Sequence, residues 1–147
     1  MPPRPACEIP AGHLVDAAVG GAVAICLKAE RAGKGHVNHY LVPLEPLDGG
    51  LRAMRLVYVD PDSPVERRAG ALIVGPVLDG AAEAQVGDVL VTAAGEAFLK
   101  LLDDEQSQRL WAYVDLASGQ VRRRRERHAA AGLRAWRLEI TAPPAGS

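Results

Sequence analysis

The chain has 147 residues, a formal net charge of −1, 48% hydrophobic and 24% charged residues, and two cysteines. That length fits one domain with a sizeable core, and the balance excludes both a disordered chain and a disulfide-dense scaffold. The longest apolar run, residues 17–27, has 11 residues, too short for a membrane helix, which needs about 20. Glu8 and Asp16 precede that run and no basic segment leads into it, so it does not read as a signal peptide. The expectation is a soluble protein of a reducing, cytoplasmic compartment, or one enclosed in an assembled particle, with no membrane partner.

Residues 1–10, with four prolines, read as an extended arm. Residues 22–30 and 37–45 then flank a loop in which Gly33 and Gly35 supply positive φ, the pattern of a hairpin with a longer connection. Pro46, Asp48, Gly49 and Gly50 turn the chain into a third strand at 51–59. Asp60-Pro61-Asp62-Ser63-Pro64 breaks the sheet. Ser63 and Glu66 have capping-box spacing, Pro64 suits a first helical position and Gly70 a stop, so the spacing predicts one helical turn over 64–69. A strand at 71–78 ends on the Asp79-Gly80 turn.

The second half reads as a meander. Strands at 88–93 and 96–102 flank Ala94-Gly95, an acidic turn follows at 103–107, and strands at 108–116 and 121–126 flank Ser118-Gly119. A last strand at 134–141 precedes a loose tail, 143–147. About nine short antiparallel strands with one helical turn predict an all-β protein, a small barrel or sandwich over residues 11–142 with possible halves at 11–78 and 86–142.

The near-neutral total conceals a charge split. Residues 1–121 carry 10 Lys/Arg against 16 Asp/Glu, and residues 122–147 carry 7 Arg against 2 Glu. Arg122, Arg123, Arg124, Arg125 and Arg127 form a run interrupted only by Glu126. With a two-residue turn at Ser118-Gly119, period two sends Trp111, Tyr113 and Asp115 outward and sets Asp115 opposite Arg122 and Tyr113 opposite Arg124. It also sends Arg123 and Arg125 inward, where unpaired cations are strongly disfavoured. Such a strand belongs at a sheet edge, beyond the sheet, or against a partner.

Three readings of the run compete. Arginines on an edge strand prevent edge-to-edge aggregation. They suit an acidic neighbour, such as Asp103, Asp104 and Glu105 of another copy. With Trp111, Tyr113 and Trp136 they also suit a polyanion. A helix over 120–131, stopped by Gly132, is a further possibility, but it would have little apolar face.

Motifs for chemistry are sparse. His36 and His39 have H-x-x-H spacing, but on a strand they point to opposite faces, so shared metal ligation is not expected. Asp60 and Asp62 begin a calcium-loop spacing that Pro64 interrupts. Gly33-Lys34-Gly35 lacks the other residues of a phosphate loop, and Ser118 lacks a glycine-framed elbow. No nucleophile–base set, metal or cofactor site is apparent. His39, Tyr40 and Glu45, meeting a carboxylate in a barrel mouth, are the residues on which an enzyme or ligand-binding reading would rest.

These features favour a non-enzymatic structural or assembly protein, a homo-oligomer or part of a larger complex, whose acidic body and basic edge suit head-to-tail packing. Small virion proteins that decorate capsids or build tails have this economy, an analogy of architecture alone. The alternative is a nucleic-acid-binding β-barrel of SH3- or OB-like type using Arg122 to Arg127.

Overall fold

Apolar runs broken by Gly, Pro and Asp produce strands along the whole chain. In a computed structural model of the protein the described residues are 3–19, 21–44, 55–78, 89–91, 96–103, 110–122 and 131–140. The first half forms β1 (Arg4–Pro5), a 3-10 turn at Ala6–Glu8, β2 (Leu14–Val19), β3 (Ala22–Ala32), β4 (Val37–Pro43), β5 (Val57–Tyr58) and β6 (Pro64–Arg68). The second half forms β7 (Gly70–Leu78), β8 (Val89–Val91), β9 (Ala97–Asp103), β10 (Leu110–Asp115), β11 (Val121–Arg122) and β12 (Ala131–Ile140). The protein is all-β. Among the described residues no helix is long and apolar enough to cross a membrane.

The strands make two six-stranded antiparallel sheets, ordered β1-β6-β2-β3-β4-β5 and β11-β10-β9-β8-β12-β7. No pairing among the described residues closes them into one barrel. Only Ala69 separates β6 from β7, so the chain passes directly from the first sheet into the second. Two isolated parallel bridges, Glu30 with Gln120 and Arg55 with Leu102, join the sheets again.

Both faces of the first sheet are buried. Leu14, Leu27 and Val42 lie side by side in register and pack against Val89, Leu99, Leu101 and Val114 of the second sheet. One residue along, the row Val15, Cys26 and Pro43 points to the opposite face. There Val15 and Cys26 join a second cluster with Ala6, Ile9 and Val65. Alternating residues of β2 and β3 thus serve different cores, which explains why their sequence reads as a continuous apolar run rather than a period of two.

Two expectations need correcting. The helical turn at 64–69 is strand β6: Val65 is buried in the second core and the backbone pairs with β1 and β2, so long-range pairing overrides a local capping signal. The extended arm is docked, because Ala6 and Ile9 belong to that same core. β2 is a strand that the apolar run concealed. Val19 lies opposite Ala22 where β2 meets β3, and Gly21 there has φ +85°, a tight hairpin connection that suits glycine.

The second correction is register. The β10–β11 turn spans residues 116–119, because Asp115 organises it: its Oδ1 accepts from Ala117 N–H at 2.9 Å and its carbonyl from Gly119 N–H at 2.7 Å. Tyr113 therefore faces Arg122, and Val114 faces Val121. The expected turns at 46–50, 79–80, 94–95 and 103–107, the strand ends at 51–54, 92–93 and 123–126, and the tail 143–147 lie wholly or mainly outside the described residues.

The same turn meets the first sheet at close quarters. Glu30 N–H donates to Gly119 O at 3.0 Å and Gly12 N–H to Lys28 O at 2.8 Å. Gly119 has φ +71°, and a Cβ there would strike the backbone nitrogen of Gly12 and lie 2.6 Å from Ala11 Cβ. Gly35 has a similar φ of +75° but nothing within 4 Å of its Cβ position. Gly35→Ala is expected to cost about 1 kcal/mol, from backbone strain alone, and Gly119→Ala at least about 3 kcal/mol; urea unfolding of the two variants measures the difference.

Candidate functional site

Two groups of charged residues emerge from this architecture. The first is the basic edge. Arg122 is exposed on β11, the outermost strand of the second sheet among the described residues. It lies opposite Tyr113, which lies opposite Lys100 of β9. Their chain neighbours Val121, Val114 and Leu99 belong to the inter-sheet core, so the row Lys100–Tyr113–Arg122 occupies the other face of the sheet. Tyr113, expected to point outward into the open, is only 8% exposed and Lys100 only 7%. Arg123, Arg124, Arg125 and Arg127 lie outside the described residues.

The other residues singled out are dispersed. Trp111 sits opposite Leu102, and Asp103 opposite Leu110 at the end of β9. Asp104 and Glu105 lie outside the described residues. Trp136 sits on β12 opposite Val74, separated from β10 by β9 and β8, a distance of about 14 Å at ordinary strand spacing. The structure therefore brings Tyr113 to Arg122 but does not bring Trp136 to the strand carrying Trp111 and Tyr113.

The second group is buried. Lys28, on β3, has no exposure to solvent. Its Nζ lies 3.0 Å from Ile9 O, 3.2 Å from Glu30 Oε1 and 2.9 Å from His39 Nδ1. Lys28 and Glu30 are two apart on one strand and so share a face, and the hairpin register sets Glu30 opposite His39. His39 Nδ1 lies 3.7 Å from the same carboxylate oxygen. Burial pulls the Lys28 pKa below its ordinary range, while the hydrogen bond and charge of Glu30 hold it up. Burial lowers that of His39 as well, reinforced by repulsion from Lys28 and opposed by Glu30.

No protein-family model matches the chain, and no curated protein or solved structure is similar to it. Function must be argued from these two groups alone. Lys28 Nζ is engaged by three groups inside the protein, and these contacts fasten the arm, β3 and β4 to one another. His39 and Tyr40 do not converge on one site: Tyr40 points into the inter-sheet core, with its ring edge-on to Tyr58 at a centroid distance of 6.1 Å. Glu45 lies outside the described residues. Among the described residues no three His, Cys, Asp or Glu side chains gather as a metal site.

Lys28 and Glu30 were not singled out from the sequence, though a signal existed. Lys28 is the first charge after Asp16 in an otherwise apolar stretch, and a four-residue loop at 33–36 places Glu30 opposite His39. Breaking this buried set by Lys28→Met should lower stability by about 3 kcal/mol at pH 7, read by urea unfolding. The pH dependence has a definite sign. Below the ordinary histidine value of 6.5 the unfolded chain takes up a proton that folded His39 resists, so stability falls as pH drops through that window and recovers above it. His39→Gln should flatten the dependence.

Proposed function

We propose that the protein is a non-enzymatic structural component that assembles through its basic edge, packing with copies of itself or with other components of a shell, ring or filament of the virion kind. One observation carries this reading. Exposed Arg122, on the outermost described strand of its sheet, opens a run of five arginines within six positions. The rest of the chain carries a net negative charge. A charged edge blocks random strand pairing while attracting an acidic surface.

Asp103 supplies a complement on the same sheet. It stands three residues along β9 from Lys100, which shares the row of Arg122, about 10 Å along the strand. The acidic and basic segments thus begin two strands apart in one sheet, and an oligomer could bring the acidic segment of one copy to the arginine edge of another. Nucleic-acid binding has less support, because Tyr113 is buried and Trp136 lies strands away from the arginine edge.

Light scattering across a salt series tests the proposal. The expected result is a large species at low salt that dissociates as salt rises, since screening weakens contacts between surface charges. A variant with Arg122 to Arg125 all alanine should remain monomeric throughout. A wild-type monomer at low salt and high concentration would overturn the proposal, as would retention of an oligonucleotide by the wild type that the alanine variant loses.

A further inference from the structure

The buried cluster also determines how the arm is held. Residues 3–10 attach through the two-residue pairing of β1 with β6, through Ala6 N–H to Ser63 O at 2.9 Å and Cys7 N–H to Pro61 O at 3.0 Å, and through the Lys28 link to Ile9 O. That link ties the arm to the β3–β4 hairpin. Ala6 and Ile9 contribute apolar packing to the second core, whereas the inter-sheet core contains no arm residue.

The protons around Lys28 can be counted. Ile9 O and Glu30 Oε1 only accept, so Nζ must donate to both. The third contact, with His39 Nδ1, closes only while one of the two nitrogens holds the proton and the other accepts it. The pair then carries one positive charge, and the Glu30 carboxylate balances it. A further proton would set an N–H of His39 against the ammonium at 2.9 Å with Glu30 Oε1, 3.7 Å away, too far to accept it, and two cations would face one carboxylate.

Other elements bring no group that relieves this. β5 and the residue after it present Val57 and Val59 to the second core, while Tyr58 turns to Tyr40. Asp60 and Asp62, on the following turn, are exposed. From the arm, Glu8 is exposed, and the Cys7 thiol, also exposed, acts on Lys28 only through its charge.

We infer that His39 is a proton-operated latch on the N-terminal arm: its protonation breaks the Lys28 link to Ile9 and frees residues 3–10, β1 with them, while the other strands of the two sheets stay paired. The latch stands independently of the assembly reading, since it involves none of the arginine run. Because the proton enters a net-neutral buried set, the transition lies below the ordinary histidine range.

Cys7 provides the probe. It is exposed, whereas Cys26 is buried and its thiol is pushed up to about 12, mainly by burial and further by Asp16, so a nitroxide reagent labels Cys7 selectively. The electron paramagnetic resonance spectrum should be broad near pH 8 and sharpen as His39 takes up its proton below the ordinary histidine range, with near-ultraviolet circular dichroism of the body unchanged. In His39→Gln, whose side chain accepts without titrating, it should stay broad. Amide exchange in the unsubstituted protein gives a second measurement: protection at Ala6 and Cys7 should fall by about tenfold or more as the His39 ring titrates. A label that stays immobile until global unfolding would overturn the latch. So would an unchanged transition in His39→Gln, or exchange at Ala6 and Cys7 that ignores the ring.

Discussion

The ammonium of Lys28 is the constraint around which the first sheet is arranged. Because that sheet is covered on both faces, a long cationic side chain in the middle of β3 has no route to water. It is tolerated only because a carboxylate, an imidazole and a main-chain carbonyl converge on it from β3, β4 and the arm. A buried charge of this kind is weak evidence for added stability, since a well-packed apolar residue often serves as well. What it adds is geometry, because the hydrogen bonds form only when the arm sits in one place and the hairpin in one register.

The joint between the sheets rests on a different kind of constraint. Residues 11–12 and 117–119 approach so closely that a side chain at Gly119 has no room, and Asp115 holds the turn in that position with its own carboxylate and carbonyl. The turn also places Arg122 in the row of Tyr113 and Lys100. The start of the basic edge is thus positioned by contact with the first sheet as well as by strand pairing in the second.

Much of the architecture was legible in the residues. Apolar segments on either side of Gly33 and Gly35 marked the β3–β4 hairpin, and the alternation in 96–102 and 108–116 marked β9 and β10. The failures share a cause. Ser63, Pro64 and Glu66 carry a local helical signal, but β6 is decided by partners about 50 and 60 residues away, Asp16 and Arg4 among them. Gly21 was a readable turn residue hidden inside an apolar run whose alternate residues face two different cores. The arginine run could be recognised, yet its register depended on a carboxylate–backbone turn that a two-residue loop did not anticipate. Lys28 could not be recognised as buried until both faces of its strand were known to be covered.

The pairing of Arg4 with Val65 and of Leu14 with Arg68 has a consequence during synthesis. The arm leaves the ribosome ahead of β6, and the strand that receives it is not made until some 60 residues later. At about 5–20 residues per second that is a wait of roughly 3–12 s, during which Ala6 and Ile9 have no completed socket. The first sheet is then finished within a few residues of Arg68, before most of the second has been translated. The nascent chain would thus present the open inter-sheet face of a nearly complete sheet, an apolar surface for which a chaperone and the emerging β9 and β10 compete.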